Sequence, residues 1–207
     1  MKKILLVTVL AVAGLTASAQ TEKGRVTLGG TLSYESSKSE ADDSYDPSAF
    51  TILPTFSYFV ANNISLGLGL GYTSSKVAKL SGVRNGIPTF SKIKTSAVVV
   101  YPFGRSYKSL SEQFKFFGEL GVPLAFGSTE VNGQDSGGST SIGVSLSPGF
   151  AFFPTKRVAI ELGFNGINYI STTLKDNDGK KIDNSGSSSF SIGADFFAPK
   201  LGVQFHF

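Results

Sequence analysis

Residues 59–72, FVANNISLGLGLGY, contain the alternation that decides the fold. In an extended strand, successive side chains point to opposite faces of the sheet. One face then carries only large side chains, Ile64, Leu66, Leu68, Leu70 and Tyr72. The other face carries only Ser65 and glycines. Neither face has the charges expected on the wet side of a soluble antiparallel sheet, so the class of protein depends on which face contacts water.

The first nineteen residues have the pattern of a secretory leader. Two lysines precede an apolar run, and the small residues Ala17-Ser18-Ala19 come directly before Gln20. The run is shorter than the ~20 apolar residues that a membrane-spanning helix needs. We therefore predict a signal peptide over residues 1–19, with cleavage between Ala19 and Gln20, and one exported domain over residues 20–207. A retained N-terminal anchor is the alternative.

The composition favours an all-β protein. The chain has no cysteine, so an exported form has no disulfide framework and depends on its hydrogen bonds. Its 24 glycines and 18 phenylalanines favour strands that approach one another closely. The formal charge of +4 includes the two lysines of the predicted leader, and removing them leaves +2. That small value does not favour a nucleic acid as a partner.

Apolar runs alternate with polar breaks along the whole chain. We predict eight strands near residues 25–34, 50–60, 64–74, 94–103, 114–126, 141–153, 157–170 and 190–207. The breaks are alternately short and long, and the long ones cover residues 35–49, 75–93, 127–140 and 171–189. Short turns at one end and long loops at the other are typical of an outer-membrane β-barrel. Ten strands, with a hairpin inside one long break, are the less favoured alternative.

The two faces of these strands indicate which side is wet. In the first three and the fifth to seventh strands, even-numbered positions carry no charge, and every charge lies at an odd position among small residues. Apolar-out and polar-in is the arrangement of a barrel in lipid. Because lipid cannot pair backbone groups, the sheet must close on itself. The terminal run LGVQFHF (201–207) alternates to the last residue and supplies a closing strand. We predict a closed antiparallel transmembrane β-barrel.

Two details of this barrel are less regular. Tyr34, Tyr58, Tyr72 and Tyr101 lie towards strand ends, where we expect them at the membrane interfaces; ordinary sheet aromatics are the alternative. The alternation is unclear in the fourth and eighth strands, and we expect a bulge near Ala198-Pro199 to shift the last register.

The chain resembles the outer-membrane β-barrel domain family of small eight-stranded, porin-like bacterial proteins. The resemblance rests on YFVANNISLGLGLGY (58–72), FKFFGELGVPLAFG (114–127), PGFAFFPTKRVAIELGFNG (148–166) and Phe207. It implies residence in the outer membrane of a Gram-negative bacterium. It also implies insertion by the barrel-assembly machinery, which recognises a C-terminal strand ending in an aromatic residue such as Phe207. The family is functionally mixed, so the resemblance implies no ligand, and the absence of tryptophan is a departure from its pattern.

Four charged residues share the inward side of the predicted strands: Arg25, Lys115, Glu119 and Glu161. An eight-stranded barrel is only wide enough inside for side chains, and buried charges need partners. We expect a structural charge cluster in the lumen, with an ion, proton or ligand path as the alternative. Glu119 and Glu161 are separated by one strand, roughly 10 Å, which is just beyond the spacing of glycosidase carboxylates.

Little else in the sequence favours catalysis or ligand binding. The single histidine, His206, lies beside the C terminus, away from the external rim, so a Ser-His-acid site there has no base. The glycines of residues 67–71 lack the strand-to-helix turn of a nucleotide motif. The segment DNDGKKIDN (176–184) lacks the first and last acidic ligands of a calcium loop. We predict no enzyme activity, no cofactor and no metal site.

The external breaks differ in charge. Residues 35–49 have five acids and one lysine, a net −4, whereas residues 75–93 have four basic residues and no acid, a net +4. Phosphates of lipopolysaccharide are candidate partners of the positive segment, and solvated loops are the alternative. The other expected partners are outer-membrane lipid and the assembly machinery. We predict a structural or surface-interaction role; the alternatives are a narrow passive channel for ions or very small solutes, a soluble binding barrel and a surface enzyme.

Overall fold

The computed structural model describes residues 20–37, 46–84, 87–193 and 200–207. The strands are β1 (Val26–Ser36), β2 (Ser48–Ala61), β3 (Ile64–Arg84), β4 (Ile87–Ser109), β5 (Phe114–Gly121), β6 (Leu124–Val131), β7 (Gln134–Thr155), β8 (Val158–Gly163), β9 (Ile167–Lys175), β10 (Ser187–Ile192) and β11 (Lys200–His206). In these described ranges, no helix is long and apolar enough to span a bilayer. The predicted signal peptide over residues 1–19 and the predicted bulge at Ala198-Pro199 lie outside them.

The strands form one antiparallel ring. Hydrogen-bonded neighbours follow the order β1-β2-β3-β4-β5-β7-β8-β11, and β11 pairs with β1 from Thr27↔His206 to Leu32↔Leu201. β6 continues β5 in the same register against β4. β9 continues β8 along β7. The ring therefore has eight strands, and the prediction that the C-terminal run closes it is confirmed.

The glycine face of the opening stretch lies inside the ring. Ser65 is 1 % exposed, whereas Leu68 on the opposite face is 51 % exposed. The alternation that was unclear in the fourth strand is regular in β4, where Phe103, Arg105 and Tyr107 are buried. In β11 the inward positions are even-numbered, because Gln204 and His206 are buried while Phe205 is exposed. The leucines thus face outwards, as predicted.

Two of the four predicted long loops are paired strands. β3 and β4 stay paired as far as Arg84↔Ile87, so residues 75–93 are mostly hairpin. β6 and β7 meet at Asn132 and Gly133, with φ of 53° and 81°, the conformation of a type I′ turn. The structure therefore corrects the predicted loops over residues 75–93 and 127–140. Outside lipid both faces of a strand contact water, so the apolar alternation disappears although the strand continues.

The inward glycines of β3 differ in how closely other atoms approach them. A Cβ added to Gly67 would overlap the Phe103 ring and lie 2.7 Å from the carbonyl oxygen of Phe56. A Cβ on Gly69 would lie 3.0 Å from the flexible side chain of Leu53. The outward Gly118 has nothing within 4 Å of an added Cβ. The interior is therefore filled to different degrees along one strand.

We expect Gly67→Ala to lower the free energy of unfolding by about 1–3 kcal/mol, because the backbone of β2 cannot move aside. Gly69→Ala should have a smaller effect. Gly118→Ala should be neutral or slightly stabilising, since alanine has less conformational freedom than glycine in the unfolded chain. Urea unfolding of the three variants in detergent micelles measures this order. Equal losses at all three positions would contradict the assignment of inner and outer faces.

Candidate functional site

Arg105 lies at the centre of a charge cluster inside the barrel. Its Nη1 donates to the two carboxylate oxygens of Glu161 at 2.8 and 2.9 Å, and its Nε donates to Glu119 at 2.8 Å. The Arg105 Nη2 is 2.6 Å from the same Glu119 oxygen. The side chains of Arg105, Glu119 and Glu161 are 7 %, 12 % and 3 % exposed. Strands β4, β5 and β8 thus each contribute one member of a buried ion triad.

Two tyrosine hydroxyls complete the cluster. The Tyr101 hydroxyl donates to Glu119 at 2.8 Å. The Tyr107 hydroxyl accepts from Arg105 Nη1 at 3.0 Å and lies 3.4 Å from Glu161. One guanidinium cannot neutralise two carboxylates, so the formal charge of the triad is −1. Hydroxyl donors offset that excess, because a buried carboxylate needs hydrogen bonds as well as a counter-ion.

An aromatic layer fills the barrel beside the triad. It is formed by the buried residues Phe59, Tyr107, Phe117, Ala151, Phe153 and Ala159. The Arg105 guanidinium carbon is 4.5 Å from the centroid of the Phe117 ring, an attractive cation–π distance. Gly149 leaves the space that the Phe117 ring occupies, since an added Cβ there would overlap it. The layer and the triad together place aromatic and paired charged side chains inside the barrel.

The segment before β1 is bound in the mouth of the barrel, at the end where β1 begins and β11 ends. The Thr21 hydroxyl is 2.5 Å from Asn63 Oδ1, and Lys115 Nζ donates to Thr21 at 2.9 Å. His206 Nδ1 is 2.8 Å from the carbonyl oxygen of Gln20. Residues of β5, β11 and the β2–β3 turn therefore hold this segment in place.

A comparison with protein-family models agrees with this geometry. The model described as "Outer membrane protein beta-barrel domain" matches residues 5–196. The chain belongs to this family. Membership in the outer-membrane β-barrel family places the protein in the cell outer membrane of a Gram-negative bacterium, and its closed ring agrees with the family's name.

Solved structures of small outer-membrane proteins are similar to this family member. Neisserial surface protein A is 17 % identical, with a TM-score of 0.47 over 88 % of this chain and 96 % of that one. OprG from Pseudomonas aeruginosa is 15 % identical, with a TM-score of 0.49 over 92 % and 99 %. Ail of Yersinia pestis is 15 % identical, with a TM-score of 0.38 over 89 % and 99 %. No protein with a curated function matches the chain.

The barrel brings together two of the four residues predicted for the lumen cluster. Glu119 and Glu161 meet on Arg105. Lys115 lies apart from them, at the mouth, where it donates to Thr21 and Ser109. Arg25 precedes β1 and forms main-chain hydrogen bonds with Glu22 and Phe59. The cation between the glutamates is therefore Arg105, which the sequence analysis missed.

The reason for that omission lies in β4. Its outward positions include Pro102 and Gly104, so the outer face lacks the apolar alternation that marks the other strands. The usable signal is on the inner face, where Tyr101, Phe103 and Arg105 follow at every second position. The prediction that Tyr101 lies at a membrane interface is therefore wrong. Its hydroxyl donates to Glu119 inside the barrel.

The other predicted features have simple structural roles. Tyr34, Tyr58 and Tyr72 are exposed on the outer face. The acidic segment at residues 176–184 begins a turn in which Asp176 accepts from the backbone N–H of Lys180 at 2.8 Å. Across the described part of the chain, no three His, Asp or Glu side chains converge as metal ligands.

Proposed function

We propose that this outer-membrane protein is a plugged barrel with a structural or surface-interaction role. The observation that carries the proposal is the set of buried side chains inside the ring, where the Arg105 triad adjoins the aromatic layer through Phe117 and Tyr107. An eight-stranded ring has an interior only as wide as the side chains that fill it. A solute path would have to pass through paired and almost fully buried groups.

The pairing within the triad supports a structural role for these charges. A channel that conducts ions needs charged groups that contact water and exchange partners along a continuous path. Here Arg105 directs both ends of its guanidinium to Glu119 and Glu161, and Tyr107 lies against the same groups. These contacts offset the free-energy cost of removing the two carboxylates from water. The cluster therefore serves to hold β4, β5 and β8 together.

The outward features of the barrel support contact with the surroundings. Lipid is the proposed partner of the outward leucines, and the paired ends of β3, β4, β6 and β7 are the proposed surface for contacts outside the cell. Phe207 is the proposed signal for the assembly machinery. Its ring is 64 % exposed, and its backbone N–H donates to the Val26 carbonyl at 2.9 Å, so recognition and ring closure involve the same residue.

Planar-bilayer conductance tests the proposal. We expect the purified, folded protein to give no steady openings, because its lumen is filled. The Glu119→Gln/Glu161→Gln variant should also be silent if it folds, since the side chains keep their volume. Folding is checked separately by the electrophoretic shift between unheated and heated samples. Steady wild-type openings whose ion selectivity changes in the double variant would establish the narrow channel instead.

A further inference from the structure

The segment before β1 reaches across the mouth of the barrel. We call this segment, residues 20–25, the N-terminal strap. It is continuous with β1, and its Thr21 hydroxyl accepts a hydrogen bond from Lys115 Nζ at 2.9 Å. Lys115 belongs to β5, which lies four strands from β1 in the ring of eight and therefore on the opposite wall. The strap and the Lys115 side chain together bridge the lumen.

The turn between β2 and β3 binds the strap through backbone and side-chain groups. The Asn63 N–H donates to the Thr21 carbonyl oxygen at 2.7 Å, and the Thr21 hydroxyl donates to Asn63 Oδ1 at 2.5 Å. The Asn62 side chain accepts from the backbone N–H of Lys23 at 3.0 Å. Asn63 has a φ of 64°, a left-handed conformation that asparagine adopts more readily than most residues. Two groups of one turn residue thereby fix Thr21, which is 2 % exposed.

The strap covers buried side chains at the mouth. Phe59 and Phe153 each lie two residues from the end of their strands, and His206 is the last residue of β11. All three are 3 % exposed or less, and the His206 ring is 5.2 Å from Phe153 and 6.0 Å from Phe59. Side chains at an open end of a barrel contact water, so burial this complete requires a cover. The carbonyl oxygen of Gln20, 2.8 Å from His206 Nδ1, places the strap against these rings.

The strap also contacts both sides of the seam between the first and the last strand. Within the described residues, β1 pairs with β2 over eleven residues but with β11 over six. At the mouth, the Phe207 N–H donates to the Val26 carbonyl oxygen at 2.9 Å. The contact between Gln20 and His206 lies beside this bond. The strap therefore adds a further contact to the shorter of the two ladders of β1.

Lys115 depends on the strap for one of its hydrogen bonds. Its side chain is 6 % exposed, and Nζ donates to the hydroxyls of Thr21 and Ser109 at 2.9 and 3.2 Å. A buried ammonium group is costly unless its donors are paired. A hydrogen bond to a charged group also contributes more than one between neutral groups. Loss of the Thr21 hydroxyl should therefore weaken the docked state of the strap.

We propose that the N-terminal strap is a latch. Docked on Asn63, Lys115 and His206, it closes the mouth to water-soluble molecules and holds the seam between β1 and β11. Released, it opens the mouth while the eight strands stay paired. Thr21 is the residue that fastens the latch, because its hydroxyl joins the β2–β3 turn to β5. The proposal goes beyond the structural role of the barrel and holds whether or not the lumen conducts.

Thiol labelling tests the latch, because the chain contains no cysteine and a single introduced one reports on access. Ser65→Cys places the thiol two residues after Asn63, at a site that is 1 % exposed and whose hydroxyl has no partner in the described part of the chain. In the protein purified in detergent, we expect this thiol to react slowly with a charged maleimide. Adding Thr21→Val, which removes the hydroxyl at nearly constant volume, should speed the reaction about tenfold, since labelling follows the population of the open form.

Two further variants supply the control and a second test in the Ser65→Cys background. Lys23→Gln is the matched control, because the Lys23 side chain is exposed and this residue contacts the turn through its backbone. It should label as slowly as the parent. Asn63→Gly removes the acceptor of the Thr21 hydroxyl but permits the positive φ of the turn, so it should also speed labelling. Combined with Thr21→Val it should give less than the product of the two single effects, because both remove the same hydrogen bond.

The electrophoretic shift between unheated and heated samples shows whether each variant is folded. Fast labelling in Thr21→Val and Asn63→Gly, with slow labelling in Lys23→Gln and folded mobility throughout, supports the latch. Fast labelling of the parent Ser65→Cys protein would overturn it, because the mouth would be open with the strap docked. Equal rates in all the variants would also overturn it. So would fast labelling that appears only with loss of the folded band, since the contact would then belong to the stability of the whole barrel.

Discussion

Arg105→Met should lower the free energy of unfolding by about 3–5 kcal/mol, because it leaves two buried carboxylates without their counter-ion. Glu119 and Glu161 both depend on the same guanidinium, and Arg105 is itself 7 % exposed. Methionine keeps much of the volume of the arginine stem, so the loss comes mainly from charge. Urea unfolding in phospholipid vesicles, followed by the electrophoretic shift of the folded barrel, measures it.

A triple variant separates charge from packing. Arg105→Met/Glu119→Gln/Glu161→Gln has no buried charge at this level and should recover most of the stability lost by Arg105→Met alone. Arg105 is in direct contact with both glutamates, so the effects of the arginine and glutamine substitutions on stability should be strongly non-additive. If the triple variant is as unstable as Arg105→Met, the loss is caused by packing against Phe117, and the electrostatic account of the cluster is wrong.

Leu68→Arg should lower the free energy of unfolding by about 2–4 kcal/mol, the effect of a cation on the lipid face near the bilayer midplane. The outward side chains of β3 from Ile64 to Tyr72 are all apolar or aromatic and exposed, and Leu68 is the central one. The arginine would have to lie in hydrocarbon or distort the surrounding lipid to reach water. The measurement is the same vesicle unfolding experiment.

Leu80→Arg is the matched control for this prediction. Leu80 lies on the same strand and is also exposed, but it is eight residues beyond Tyr72 and therefore outside the hydrocarbon. The expected loss there is about 0–1 kcal/mol. Equal losses at Leu68 and Leu80 would contradict the placement of the membrane along β3.

The fold could be predicted from sequence where lipid imposes a pattern. Between Ile64 and Tyr72 one face must be apolar and the other must fit a narrow interior, so the alternation is unambiguous. The closing strand was predictable for the same reason, since the alternation of residues 201–207 continues to Phe207. Outside the membrane this constraint is lost, and the strands of residues 75–93 have no periodic signal. Asn132-Gly133 was nevertheless a usable turn signal.

The candidate site was predictable only in part. Their odd-numbered positions placed Glu119 and Glu161 on the inner face. The alternation alone does not tell which cation contacts them. Arg25 and Lys115 share the inward parity and lie near the mouth, whereas Arg105 lies at the same level as the two acids because of the pairing Arg105↔Glu119. That register depends on how β4 and β5 align, which side-chain alternation does not specify. The binding of Thr21 at the mouth could not be predicted either, because Thr21 precedes β1 and its segment has no alternating pattern.

The long β3–β4 ladder has a mechanical consequence. It runs from Arg84↔Ile87, outside the membrane, through one register shift to Ile64↔Ser106 at the far end of the wall. A partner that pulls on the tip therefore applies its force to the same pair of strands that carries Arg105. The register shift between Leu80 and Gly82 is the point where such a load bends the pair, because a bulge interrupts regular pairing. It lies outside the hydrocarbon, between the tip of the hairpin and the part of the ladder that belongs to the wall.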